Sequence, residues 1–64
     1  MSANNYLTIQ KSTTLKNSYD VFEKDADTGR GNAIFEHLTK EEAIKKAQEY
    51  MKENVVEYGI KKIE

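Results

Sequence analysis

The segment between Asp25 and Glu36 carries the acidic residues whose spacing comes nearest to that of a cation site. Read from Asp25, the sequence D-A-D-T-G-R-G-N-A-I-F-E has acids at the first, third and twelfth positions, as an EF-hand calcium loop does. The sixth position of such a loop requires glycine for its sharp turn, and here it is Arg30. We therefore interpret the segment as a glycine-containing hairpin connection with solvated acids, and we expect it to bind no metal.

The centre of this segment contains some of the residue types of a phosphate-binding loop. Residues 28–31 read Thr-Gly-Arg-Gly, which supplies a hydroxyl, a guanidinium and two glycines. The lysine and the full spacing of a phosphate-binding loop are missing, and the segment does not lead directly into a helix. The sequence thus predicts no nucleotide site and no other cofactor.

His37 is the one histidine of the chain, and histidine is the side chain best suited to acid–base catalysis near neutral pH. Catalysis would also require a nucleophile or a second positioned acid, and no dyad or triad spacing supplies one. Cysteine is absent, so a thiolate metal site cannot form, and a single histidine gives no zinc cluster. We therefore predict no catalytic residue and no metal ligand, and we expect that the protein is not an enzyme.

Aromatic residues in the first half of the chain suggest a binding surface instead. They are Tyr6, Tyr19, Phe22 and Phe35. Aromatic rings interleaved with basic residues on an exposed sheet can stack nucleic-acid bases, and lysines and one arginine supply positive charge in this half. Acidic residues in the same half offset that charge, so the competing interpretation is that these rings form the core beneath a helix.

A helix is the element with the strongest local signal. Residues 39–42 read Thr-Lys-Glu-Glu and match a capping box. In this motif the Thr39 hydroxyl accepts a hydrogen bond from the backbone N–H of Glu42, and the Glu42 carboxylate accepts one from the backbone N–H of Thr39. The apolar residues that follow lie on one stripe, as a helix packed on a core requires. Its end has two interpretations. We favour a helix that continues to Tyr58 with Gly59 as a left-handed cap; the alternative ends at Asn54 and makes residues 55–63 a strand.

Three earlier segments alternate in the manner of β-strands, at residues 6–11, 18–24 and 32–36. The predicted fold class is α+β: an antiparallel sheet of three strands, or four, with one amphipathic helix packed on one face. The element order is β-β-β-α, with a further β if the C-terminal segment is a strand. We expect a single domain over residues 1–64 with a disordered N-terminus at residues 1–5.

Composition excludes several classes of protein. The 64 residues include ten basic and eleven acidic side chains, for a net charge of −1, which provides no global field to attract nucleic acid or an anionic membrane. No apolar stretch resembles a membrane span or a signal peptide. A small domain without cysteine suits a reducing compartment, and the expected location is the cytoplasm.

A single helix covers one face of a sheet, so the other face meets water or a partner. We predict that Phe22, with either Phe35 or Ile34, points to this uncovered face, flanked by the charges of Lys24 and Arg30. This motivates the leading hypothesis of a small non-enzymatic protein-binding or regulatory module, with self-association as a homodimer as one form of it. The alternative is a small nucleic-acid-binding domain that uses the same face.

Overall fold

One mixed β-sheet and one helix make up the fold of this protein, which a computed structural model describes over residues 4–64. The elements are β1 (Asn5–Lys11), β2 (Tyr19–Asp25), β3 (Gly31–Leu38), α1 (Lys40–Glu53) and β4 (Ile60–Ile63). The sheet has the strand order β3-β2-β1-β4. β1 and β3 each pair antiparallel with β2, whereas β4 pairs parallel with β1. The predicted α+β class is confirmed, with four strands and the order β-β-β-α-β. Within residues 4–64, no helix is long and apolar enough to cross a membrane.

The core lies between α1 and one face of the sheet. Leu7, Ile9 and Val21 are fully buried, and they occupy alternate positions along β1 and β2. Ala43 and Ala47 are buried against them from α1. Because these alanines are four residues apart, they lie one turn above the other on the same helix face, and their small side chains let the helix approach the sheet closely. Further side chains pack around this centre: Tyr19, Ile34, Phe35, Leu38, Ile44, Tyr50, Met51, Val56 and Ile60.

The start of α1 is the capping box that the sequence predicts. The Thr39 hydroxyl accepts from the backbone N–H of Glu42 at 3.1 Å, and the Glu42 carboxylate accepts from the backbone N–H of Thr39 at 3.0 Å. The backbone N–H of Thr39, and after it the Thr39 side chain, hydrogen-bond to the Glu42 carboxylate and lower its pKa because they favour the ionised form. The predicted helix start is therefore confirmed.

The end of α1 differs from the end that we favoured. The helix ends at Glu53, and the prediction that it continues to Tyr58 is wrong. Asn54 caps it: the backbone N–H and the side-chain amide both donate to the carbonyl of Tyr50, at 2.9 and 3.2 Å. Asn54 is extended, with φ of −133°, so the chain leaves the helix without a left-handed residue. Gly59 is left-handed, with φ of 64°, but it directs the chain into β4 instead of closing the helix.

Asn5 attaches the segment between α1 and β4 to the sheet. Its side-chain amide donates to the carbonyl of Val55 at 3.0 Å and to the carboxylate of Glu23 at 2.6 Å. Its side-chain oxygen accepts from the backbone N–H of Glu57, and its backbone oxygen from that of Tyr58, both at 3.0 Å. Asn5 therefore belongs to β1 and not to a disordered terminus. Residues 1–3 of that predicted segment lie outside the described residues.

Glu23 also connects β2 to the helix. The hydroxyl of Tyr50 donates to its carboxylate at 2.8 Å. This hydrogen bond, together with burial and the negative charge of Glu23, raises the pKa of Tyr50, because a phenolate would lose the bond and be repelled. One carboxylate thus links α1, β2 and, through the amide of Asn5, the start of β1.

Candidate functional site

The open face, by which we mean the face of the sheet opposite α1, contains two of the five residues predicted to form an interaction surface. Phe22 and Lys24 alternate with the buried Val21 along β2 and so point away from the helix. The Lys24 ammonium lies 5.6 Å from the centroid of the Phe22 ring. Arg30 is exposed and precedes β3 in the turn after β2.

Ile34 and Phe35 pack on the helix side instead. Val21 pairs with Phe35, and the next residue, Phe22, pairs with Ala33, so Ile34 is an extra residue at a β-bulge. The Phe35 ring meets the ring of Tyr50 edge-on, with centroids 6.3 Å apart and an angle of 87° between the planes. Ile34 also packs against the buried core. We expected one of these two residues to join Phe22 on the open face, and neither does, because simple alternation cannot reveal a bulge.

A row of aromatic rings and lysines runs across the open face. Tyr6 and Lys24 are directly paired across β1 and β2, which joins Tyr6 to the Phe22–Lys24 pair. On the other side of Tyr6 is Lys61 of β4, whose ammonium lies 5.2 Å from the Tyr6 ring centroid and 5.7 Å from that of Tyr58. We call these five residues the aromatic–lysine patch. Each lysine–ring contact at an exposed site contributes about 0.5–1 kcal/mol.

The patch has a positive charge although the protein as a whole has a net charge of −1. Lys24 and Lys61 both hold an ammonium group beside a ring, and Tyr58 is 53% exposed. Beneath the patch, Thr8 is only 4% exposed although no helix covers it, which indicates that side chains of the open face pack on one another. Such a surface can contact apolar groups through the rings and anionic groups through the ammonium groups.

A second cluster on the open face arises from another bulge in β3. Tyr19 pairs with Leu38 and Val21 with Phe35, so the single residue Asp20 faces both Glu36 and His37. His37 has a left-handed backbone, with φ of 61°. Its backbone N–H donates to the Asp20 carboxylate at 3.0 Å.

Three possible metal donors meet at this bulge. One ligand atom from each of Asp20, Glu36 and His37 can be chosen so that all three lie within 4.8 Å of one another. The Nε2 atom of His37 lies 3.9 Å from a Glu36 oxygen and 2.9 Å from the hydroxyl of Thr14. Asp20 is 7% exposed, whereas Glu36 and His37 are accessible to solvent.

Sequence reasoning did not identify either arrangement completely. Tyr58 and Lys61 join the patch only because β4 pairs with β1, and the sequence offered β4 only as an alternative. Glu36 and His37 are visible as neighbours, but their approach to Asp20 depends on the register between β2 and β3. The pair of lysines at positions 61 and 62 between two isoleucines was the available signal for a strand with a charged side.

The comparisons with known proteins add no family to this description. No protein-family model matches the chain, and the searches of curated proteins and of solved structures give no match either. The two clusters of the open face are therefore the features from which we infer a function.

Proposed function

We propose that this protein is a small non-enzymatic binding module whose aromatic–lysine patch binds an acidic segment of a partner protein. The observation that carries the proposal is the row from Tyr58 to Phe22, which places two ammonium groups among three rings on the face that α1 leaves uncovered. Aromatic residues are enriched in protein interfaces, and the ammonium groups select for carboxylates. We also propose a cytoplasmic location, since a chain without cysteine suits a reducing compartment.

An acidic partner is favoured over a second copy of the chain. A two-fold symmetric dimer uses the same patch on both subunits. It would bring Lys24 and Lys61 of one copy toward the same residues of the other, and like charges that meet in an interface disfavour it. A partner segment with carboxylates beside apolar side chains satisfies both components of the patch.

Nucleic acid is the second candidate, because rings beside lysines are also the components of a surface that binds single strands. Base stacking requires access to the ring faces, and the ammonium of Lys61 is placed over the ring of Tyr6 and close to that of Tyr58. A base would have to displace it. An acidic peptide can instead bind the ammonium groups where they are.

Selection from a random peptide library displayed on phage, with the protein as bait, tests the proposal directly. Enriched peptides should contain several Asp or Glu residues next to apolar ones. Their affinity, measured by fluorescence anisotropy, should fall at least about tenfold for the Lys24→Glu/Lys61→Glu variant, which reverses two charges of the interface. The matched control is Lys40→Glu/Lys45→Glu, which makes the same charge change on exposed positions of α1 and should leave the affinity unchanged.

Two outcomes would contradict the proposal. One is the absence of enriched acidic peptides; the other is equal loss of affinity in both charge-reversal variants, which would indicate a non-specific charge effect. Titration of a labelled 15-mer of thymidine at about 50 mM and about 200 mM salt measures the second candidate. Binding of the 15-mer that weakens with salt and is lost in Lys24→Glu/Lys61→Glu, without peptide binding, would replace the protein partner by nucleic acid.

A further inference from the structure

Asp20, Glu36 and His37 form a cluster that the proposed protein-binding role does not use. We propose that these three side chains bind one divalent first-row transition-metal ion, and that Zn²⁺ is an ion the site accepts. The ligands would be a carboxylate oxygen of Asp20, a carboxylate oxygen of Glu36 and the Nε2 atom of His37. The proposal departs from the sequence-based expectation of no metal ligand, and it does not depend on the function of the patch.

The backbone brings these ligands together in an unusual way. Consecutive residues of a regular strand point to opposite faces of the sheet, so Glu36 and His37 would normally be separated by the backbone. The bulge places both opposite Asp20, and the left-handed conformation of His37 redirects its side chain. Bulges often occur next to functional sites because they redirect a side chain in this manner.

The distances require only a small movement of accessible side chains. Ligand atoms of a tetrahedral zinc site lie about 3.4 Å apart, as follows from metal–ligand distances of about 2.1 Å. His37 Nε2 and the Glu36 oxygen are already 3.9 Å apart, and the whole set lies within 4.8 Å. Rotation of the exposed Glu36 and His37 side chains that displaces their ligand atoms by less than about 1.5 Å would bring the three atoms to the separation of a zinc site.

Asp20 is the fixed member of the site. It is 93% buried by accessible area, and its Oδ1 atom accepts the backbone N–H of His37. This hydrogen bond orients the carboxylate in the way that second-shell bonds orient metal ligands, and Oδ2 is the atom that we assign to the ion. Two carboxylates and a neutral imidazole carry a charge of −2, which a divalent cation neutralises.

The chemistry of the donors selects the kind of metal. Ca²⁺ and Mg²⁺ are bound by oxygen ligands, whereas an imidazole nitrogen with carboxylates suits zinc and its neighbours in the first transition row. The hydroxyl of Thr14 contacts His37 Nε2 at 2.9 Å. Metal binding would replace this contact by a bond to the ion, and the exposed Thr14 hydroxyl would then be solvated.

Calorimetric titration of ZnCl₂ into tag-free protein tests the proposal, with Ca²⁺ as the comparison ion. We expect one saturable site per chain for Zn²⁺ and none for Ca²⁺. Because His37 is the only histidine, the imidazole signals in long-range ¹H–¹⁵N spectra report on this residue alone, and the Nε2 resonance should shift on saturation. The variants His37→Asn and Glu36→Gln should each weaken binding at least about tenfold, because loss of even an outer-shell partner of a metal site lowers the affinity by about 10–100-fold.

Control variants separate ligand loss from loss of fold. Asn tolerates the left-handed conformation of position 37, so His37→Asn removes the imidazole with little strain on the bulge. Glu41→Gln removes an exposed carboxylate of α1 and should bind Zn²⁺ as the unmodified protein does. Absence of saturable Zn²⁺ binding, unchanged affinity in His37→Asn with native amide spectra, or equal binding of Ca²⁺ would each overturn the proposal.

Discussion

Replacement of Asn5 by alanine removes three side-chain hydrogen bonds, two of which hold the segment before β4 to the sheet and one of which joins β1 to Glu23 of β2. The bond to the Glu23 carboxylate is charge-assisted and half-buried, and we assign it about 1.5 kcal/mol. The bonds to the backbone of Val55 and Glu57 are exposed, and each contributes about 0.5 kcal/mol. The expected loss for Asn5→Ala is therefore about 2.5 kcal/mol. A domain of this length has a free energy of unfolding of only about 3–10 kcal/mol.

Urea denaturation followed by circular dichroism measures this loss. With an m-value of about 1 kcal/mol/M for a domain of this size, the midpoint should fall by about 2–3 M. Amide hydrogen exchange supplies a local measurement, because the N–H of Leu7 donates to the carbonyl of Gly59 and that of Glu64 to the carbonyl of Ile9. Both amides should lose protection in Asn5→Ala by about as much as the global stability falls, whereas amides that exchange through openings elsewhere in the protein should lose less.

Asn4→Ala is the matched control. The backbone carbonyl of Asn4 accepts a hydrogen bond from the N–H of Ala26, and the substitution keeps this bond. Asn5→Asp should be at least as destabilising as Asn5→Ala at neutral pH, because it sets a second carboxylate against Glu23. A change below about 0.5 kcal/mol for Asn5→Ala, or equal effects of the alanine substitutions at positions 4 and 5, would refute the reasoning.

Other substitutions test the remaining structure. Gly31→Ala should destabilise by about 3 kcal/mol in urea denaturation, because its Cβ would overlap the backbone carbonyl of Glu23. Thr39→Ala removes the helix cap and should cost about 1 kcal/mol in the same assay. The lowered pKa of Glu42 means that its contribution is present above its ordinary value of 4.5 and is lost as the pH falls through the folded value. The Glu42→Gln variant, which removes this carboxyl group, should therefore show a shallower acid limb of the stability profile than the unmodified protein. The raised pKa of Tyr50 has the opposite sign: its contribution is present below 10.0 and is lost as the pH rises through the folded value, so Tyr50→Phe should flatten the alkaline limb of the stability profile.

Local patterns predicted most of the secondary structure, because the forces that produce it act between near neighbours. The capping box at Thr39 involves residues three apart and was identified in full. Alternation places Leu7 and Ile9 on one side of β1 and Tyr19 and Val21 on one side of β2, and Leu7, Ile9 and Val21 are the buried strand residues of the core. These features depend on side-chain direction and capping chemistry, which a short window of sequence contains.

Features set by distant residues could not be predicted in this way. Val55 and Tyr58 continue the apolar stripe of α1, but their backbone groups are hydrogen-bonded to Asn5, about 50 residues earlier. The carbonyl of Val55 accepts from the Asn5 side-chain amide, and the N–H of Tyr58 donates to the Asn5 carbonyl. A helix there would forfeit those bonds and the pairing of β4. The patch and the bulge cluster have the same origin, because Lys61 reaches Tyr6 and His37 reaches Asp20 only through strand register.

The parallel pairing of β1 with β4 has a consequence for folding during synthesis. β1 is an interior strand of the sheet, yet the residues of β4 that pair with its second edge follow 53 or 54 positions later in the chain. At a translation rate of about 5–20 residues per second, that edge stays unpaired for about 3–10 s after β1 is made. β1 and β2 can form a hairpin in that time, but its hydrogen-bonding groups on one side remain available to other chains. The nascent chain is therefore most exposed to aggregation or chaperone binding through its first strand, and closure of the sheet is a late event with a high contact order.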